Sequence, residues 1–174
     1  MPLAVEIGCG VGLHPIQFAK NNPQSQILAI ERTQEKYNKF NQRLKNHPDI
    51  NNVFPAHADA AWLLPHLELK GHVDQFFILY PNPYPKNKHK NLRFAHSALM
   101  SFVVDCLKPG GTLTMASNIK DYIDEVLNSS FVLQKKLELL SSLELSKNHP
   151  PRSHFEKKYL ARGETCYDLV FRRV

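Results

Sequence analysis

Three glycines at alternate positions, Gly8, Gly10 and Gly12, part an apolar run, Leu3-Ala4-Val5-Glu6-Ile7, from a helical one that starts near Leu13. Glycine at each point permits positive φ and close approach of the backbone to a ligand. A strand running through such a turn into a helix buries its apolar faces only when further strands lie parallel to it with helices packed across them. The rest of the chain supplies them. A helix is predicted over Leu13 to Asn21, with Pro15 tolerated in its first turn, then a strand over Gln26 to Glu31. Thr33 caps a helix reaching about Asn46, with Tyr37, Phe40 and Leu44 on its apolar face. A poorer strand over Asn52 to His57, a short helix or turn from Ala60 to Leu67 and a solid apolar strand from Val73 to Leu79 follow. A helix over Leu92 to Leu107 should stop at Lys108-Pro109-Gly110-Gly111, ahead of a strand over Thr112 to Ser117 and a helix over Asp121 to Leu127.

This alternation is the signature of an α/β fold with a Rossmann-like, doubly wound, mostly parallel sheet. The pattern then changes. Phe131 to Leu145 reads as a strand with flanking turns, Ser146 to Arg162 as a polar loop, and Cys166 to Phe171 as a final strand. The last two strands suggest an antiparallel C-terminal edge hairpin. With no linker or repeat, residues 1–174 are expected to form a single domain.

No run approaches the roughly 18 apolar residues of a membrane span, and no secretory signal is visible at the N-terminus. Cys9, Cys106 and Cys166 are odd in number and lack metal-ligand spacing, which argues against a disulfide framework or a metal site and makes a reducing cytoplasm the expected location. The formal charge of +6 favours a polyanionic partner only weakly. Its distribution says more: one basic group spans Lys86 to Asn91, and a second comprises Arg152, His154, Lys157, Lys158 and Arg162.

The strand ending at Leu79 enters Tyr80-Pro81-Asn82-Pro83-Tyr84-Pro85-Lys86, then Asn87-Lys88-His89-Lys90-Asn91-Leu92-Arg93. Three prolines in five residues forbid helix and strand pairing and predict a rigid, extended projection. It carries an amide, a phenol and a cluster of cations at the carboxyl end of a parallel strand, where such folds do their chemistry. Carboxylates stand at comparable points on the other strands: Glu6 before the glycine turn, Glu31 at the end of the second strand and Asp59 after the third. Each alone could serve a helix N-terminus. Together they suggest a site for a ligand with a ribose and a cationic end.

The glycine turn and its preceding acid resemble motif I of the S-adenosylmethionine-dependent methyltransferases. With Tyr80-Pro81-Asn82-Pro83-Tyr84-Pro85-Lys86, the basic stretch to Arg93, Ser153-His154-Phe155-Glu156, Gly163 and Asp168-Leu169-Val170-Phe171, the chain resembles the bacterial tRNA (guanine-N7-)-methyltransferases of the TrmB type. The likeness implies a seven-stranded methyltransferase sheet and methyl transfer from S-adenosyl-L-methionine to N7 of a guanine in the tRNA variable loop. It implies cofactor contacts at Glu6, Gly8, Gly10, Glu31, Arg32, Asp59, Ala60 and Asn82, with Asn82 also the catalytic position. It places the guanine at Tyr84, Lys86, Asn118, Ser153, Phe155 and Glu156, and the RNA backbone at Lys88, His89, Lys90 and Arg93. tRNA is the implied partner, with no membrane or metal, and the protein a monomer or weak homodimer. Members of the family carry Asp at the positions of Asn82 and Asn118, Trp at Tyr84 and Thr at Ser153, and they have a further segment before the first strand.

Guanine N7 holds a lone pair and no proton, so its methylation needs alignment rather than a general base. Two alternatives stay open. One is an exocyclic-amine methyltransferase, whose Asn-Pro-Pro-aromatic turn Asn82-Pro83-Tyr84 approaches. The other is a divergent paralogue that binds RNA with little or no turnover. His14, His47, His57, His66 and His72 are expected on the surface or at helix caps, Cys9 as a small filler, and Trp62 in the core rather than along an adenine pocket. Tyr122 either backs the substrate pocket or packs inside.

Overall fold

The computed structural model describes residues 1–84 and 93–174. Seven strands form one sheet in the order β3-β2-β1-β4-β5-β7-β6. β1 (Leu3–Ile7) lies centrally, pairing in parallel with β2 (Gln26–Glu31) and β4 (Val73–Leu79). β3 (Val53–His57) flanks β2, and β5 (Leu107–Ser117) pairs in parallel with β4. β7 (Cys166–Arg173) runs antiparallel between β5 and the edge strand β6 (Leu137–Leu145), giving the expected C-terminal hairpin. The strand order reverses at β1 and β4, which opens a crevice at their carboxyl ends.

Period-two alternation sorts the core. Ala4, Ile27 and Ala29 pack with Ile16, Ala19 and Phe40 of α1 (Leu13–Asn21) and α2 (Gln34–Leu44). Val5, Ile7, Phe76, Ile78, Leu113 and Met115 face the other way, onto α4 (Ala98–Cys106) and α5 (Lys120–Leu127). Tyr122 is 2% exposed within that second cluster, so it packs inside.

Four expectations change. The predicted helix from Leu92 is, over its described part, a 3₁₀ turn at Phe94–His96 followed by α4, because the Ser97 hydroxyl caps α4 by accepting from the Met100 N–H at 3.3 Å. β5 begins at Leu107 rather than Thr112, its pairing with β4 slipping between Val73 and Gln75 so that Pro109 and Gly110 are taken up in a bulge. Trp62 is 65% exposed, because α3 (Ala60–Leu63) is a single turn that passes straight into the 3₁₀ turn Leu64–His66 and leaves the indole outside against His66. The segment over Ser146 to Arg162 is more than a loop: after α6 (Ser130–Leu133) and β6 it forms α7 (His154–Ala161).

Candidate active site

The glycine turn makes a backbone cradle at the carboxyl end of β1. Gly8, Gly10 and Gly12 have φ of +77°, +60° and +77°, and the N–H groups of Gly8 and Cys9 donate to the Ile30 carbonyl at 2.8 and 3.1 Å. Gly12 serves packing, since a Cβ there would lie 1.9 Å from Cδ2 of Phe40. Gly8 and Gly10 differ: nothing stands within 4 Å of a Cβ built on either, so their Cα atoms face open space that a ligand can occupy closely. Glu31 braces the turn from behind. Its buried carboxylate accepts from the Gly10 N–H at 2.9 Å and the Thr33 N–H at 2.7 Å, and each oxygen keeps a lone pair for a further donor such as a ribose hydroxyl.

In front of the cradle opens a pocket lined by Glu6, Gly10, His14, Lys36, Ser153 and Phe155 among others. Glu6 is 2% exposed and its Oε2 lies 2.8 Å from His14 Nδ1. His14 is therefore not a surface residue. The first turn of α1 leans it back over β1, and Phe77 holds its ring edge-on at a centroid distance of 4.6 Å. The Lys36 ammonium sits 5.3 Å from the Phe155 ring centroid, so α2 and α7 meet across the pocket mouth. Neither His14 nor Lys36 was picked out from sequence; Lys36 meets Phe155 across 119 residues, a contact with no local signal. Burial, then the Glu6 and Glu31 charges, push the Cys9 thiol far above its usual value, which keeps it a neutral filler.

The loop after β4 departs from the extended projection expected. Tyr80 and Tyr84 have φ of +54° and +44°, so the chain turns at both. Asn82 is exposed and its Oδ1 accepts from the Tyr84 N–H at 3.1 Å, an Asx turn that closes the Pro-rich segment on itself. The Tyr84 carbonyl in turn accepts from Arg93 Nε at 3.1 Å and from Arg93 Nη2 at 2.9 Å. Arg93 also pairs with Glu125, and its side chain is only 12% exposed. Expected along the RNA backbone, Arg93 is in this structure a strut that ties the motif loop to α5. Lys86, Lys88, His89 and Lys90 lie outside the described residues.

Glu156, expected at the guanine, is likewise engaged within the protein. It is 0% exposed, and its carboxylate accepts from the Tyr80 hydroxyl at 2.8 Å, the Arg152 N–H at 2.7 Å and Arg152 Nη2 at 2.8 Å. Arg152 Nη2 reaches Asp168 Oδ1 on β7 at the same 2.8 Å. With its oxygens engaged inside the protein, Glu156 does not present itself to a base in this arrangement. It sets the geometry of those that can: the Ser153 hydroxyl caps α7 by accepting from the Glu156 N–H at 3.1 Å, and Ser153 and Phe155 line the pocket. Burial alone would raise the Glu156 pKa, but the hydrogen bonds and charge of Arg152 outweigh it and hold the carboxyl below its usual range. Burial, then Cys166 and Glu156, push the Tyr80 phenol well above its ordinary value, so it remains the donor.

The remaining candidates spread along the same carboxyl edge. Asn118, just past β5, donates through Nδ2 to Glu164 at 2.7 Å, and neither Asn118, Asn82 nor Tyr84 lines the glycine-turn pocket itself. Beyond β2 and β3, Arg32 lies 3.5 Å from Asp59, both well exposed, and Asp59 also caps α3 by accepting from the Ala61 N–H at 2.9 Å. Ala60 beside it is buried.

An S-adenosylmethionine fits these residues on the structure's own terms. The backbone at Gly8 and Gly10 leaves open space, Glu31 keeps acceptor capacity beside it, and Glu6 lies on the pocket wall as an anion for a cationic methionine end. Gly10→Ala would put a methyl into the cradle and strain a left-handed residue by about 1–2 kcal/mol. It is expected to abolish the donor-induced rise in melting temperature while leaving the protein folded; a full thermal shift in the variant would move the donor elsewhere.

Comparison with known proteins agrees with this geometry. The family model described as "Putative methyltransferase" matches residues 1–169. The tRNA (guanine-N(7)-)-methyltransferase of Nitrosomonas eutropha is 30% identical over 173 residues, covering 98% of this chain and 75% of that protein. The enzyme of the same name from Syntrophotalea carbinolica is 29% identical, covering 99% of this chain and 74% of that protein. Two solved structures, described as an antibiotic related methyltransferase and the 16S rRNA methyltransferase KamB, superpose with TM-scores of 0.77 and 0.74 at 18% and 15% identity. They cover 98% and 99% of this chain, which covers 87% and 88% of theirs, and at such identity they speak to the fold alone. With the family matched across nearly its whole length, this chain is a member of the tRNA (guanine-N(7)-)-methyltransferase family.

Proposed function

We propose that this protein methylates N7 of a guanine in the variable loop of tRNA, with S-adenosylmethionine as donor. The observation that carries the reading is the open glycine cradle, flanked by Glu6 and Glu31, lying at the same sheet edge as the Asn82 turn and the capped start of α7. When bound, S-adenosylmethionine supplies an electrophilic sulfonium methyl. Glu6 provides fixed negative charge at that end of the pocket, and His14 fixes where its carboxylate points. Ser153 and Phe155 bound the space that the target base enters, held there by the Tyr80–Glu156–Arg152 network beneath them. Guanine N7 would attack the methyl with its own lone pair while the S–CH3 bond breaks to release neutral S-adenosylhomocysteine, so no residue need remove a proton and the sulfonium's positive charge would pass to the ring. Asn82 and Tyr84 orient and pack the purine, Asn82 offering its amide dipole to that growing charge.

Glu6→Gln keeps shape and removes the charge. It is expected to weaken S-adenosylmethionine about tenfold by calorimetry, roughly 1.4 kcal/mol. Neutral S-adenosylhomocysteine should be affected much less, and equal losses for both would show that Glu6 does not sense the sulfonium. The reaction itself is tested with in vitro transcribed tRNA and radiolabelled donor, mapped by borohydride–aniline cleavage. Cleavage at one guanine is expected. Label recovered instead on an exocyclic amine or on protein would overturn the reading.

A further inference from the structure

The structure withdraws two arginines from the positive groups seen in the sequence. Arg93 is spent on Glu125 and the Tyr84 carbonyl, and Arg152 on Glu156 and Asp168. In the second group, the cations it leaves outside lie along one face of α7. Glu156 and Leu160 are buried, and Phe155 and Tyr159 are half-buried with their rings stacked at 6.2 Å. His154, Lys157, Lys158, Ala161 and Arg162 are all exposed. Their spacing, i, i+3, i+4, i+7 and i+8, is that of a single helical stripe. Lys157 and Lys158 form no ion pair among the described residues. Arg162 has only a loose contact with Glu164, 3.9 Å apart, and its side chain is 58% exposed. Such a solvent-facing pair competes weakly with another anion.

The position of the stripe matters as much as its charge. α7 begins at the pocket: Ser153, His154 and Phe155 line it, and the helix then runs outward carrying its cations. At 1.5 Å per residue the stripe from His154 to Arg162 spans roughly 12 Å. That is about three stacked nucleotides at roughly 3.4 Å each along a strand. The buried Glu156–Arg152–Asp168 network makes this a fixed rail rather than a floppy tail.

We propose that the outer face of α7 is an RNA-backbone surface, on which Lys157, Lys158 and Arg162 hold phosphates next to the target base as it enters the pocket. Resting on the tRNA reading above, the assignment places part of the backbone contact on α7, which carries cations of the second basic group in the sequence. The cations act as positioning groups: lysines as mobile point charges, Arg162 as a fork that can take two phosphate oxygens.

The test is binding of labelled tRNA, without donor, to wild type and to Lys157→Ala/Lys158→Ala/Arg162→Ala across a salt series. His154 is left intact because it lines the donor pocket. Each phosphate contact contributes about 0.7 to 0.9 to the slope of log affinity against log salt. The triple variant should bind about tenfold more weakly at low salt, with a slope shallower by about 2. In turnover the loss should fall on KM for tRNA and be recovered at saturating RNA, and Lys157→Arg/Lys158→Arg should bind like wild type. Wild-type affinity and slope in the triple variant would overturn the surface while leaving the tRNA reading intact. Failure of the wild type to bind tRNA would overturn both.

Discussion

Arg152→Ala is expected to destabilise the protein by about 3–5 kcal/mol, the range for removing one partner from a buried ion pair. The cause is specific. Arg152 is shared between Glu156, which is 0% exposed, and Asp168, which is 8% exposed, so its removal strands two carboxylates inside the protein. At roughly 2–4 °C per kcal/mol for a chain of this size, the melting temperature should fall by about 6–20 °C. Glu156→Gln, which keeps the hydrogen-bonding shape and leaves Arg152 with Asp168, should cost much less. A fall below 3 °C in Arg152→Ala would mean that the network does not hold α7 to the sheet. The same network predicts acid sensitivity. Glu156 is held below the usual carboxylate range in the folded state, so its contribution is complete above the unfolded value near 4.5 and fades as pH falls through the lower folded value. Wild type should therefore lose stability in acid below about pH 4.5 more steeply than Glu156→Gln, measured by thermal melts across pH.

The stranded Glu156 also shows where sequence reading succeeded and where it stopped. β1, α1, β2 and β4 fall on the predicted residues, because apolar runs bounded by glycine or proline are local signals. The turn was legible for the same reason: alternate glycines between a strand and a helix announce positive φ, which all three adopt. α7 was missed although its start was written in the chain. Ser153-x-x-Glu156 is a capping-box spacing, and the serine does cap. Its glutamate, however, reaches back to the Arg152 N–H and to Tyr80 across 76 residues, a partner no spacing reveals. Arg93 is a parallel case. Its type and its basic neighbours suggested RNA, and only the fold brings Glu125 alongside. A charged residue's type states what it can bind; burial decides whether it is free to do so.

Asn82 carries the second large effect. Asn82→Ala should lower kcat about 100-fold, in the range seen when one preorganised polar group facing a developing charge is removed. Two consequences of the change reinforce each other. The alanine loses the acceptor that closes the Asx turn on the Tyr84 N–H, which loosens the turn although Arg93 still grips the Tyr84 carbonyl, and it removes the amide proposed to lie beside the purine. Because Asn82 is exposed, the melting temperature should barely move, which separates this loss from that of Arg152→Ala. Asn82→Asp is the sharper comparison. A carboxylate can accept the same turn-closing bond, so the loop geometry is retained, while a full negative charge is placed where the proposed reaction makes the ring positive. That variant, which restores the acid found in family members at this position, is expected to raise kcat about tenfold, some 1.4 kcal/mol of barrier. Single-turnover kinetics at saturating tRNA and donor would read the chemical step directly. A rate in Asn82→Ala equal to wild type would remove Asn82 from catalysis. A slower Asn82→Asp would show that the amide donates a hydrogen bond through Nδ2 in the transition state, a bond that an ionised acid cannot make.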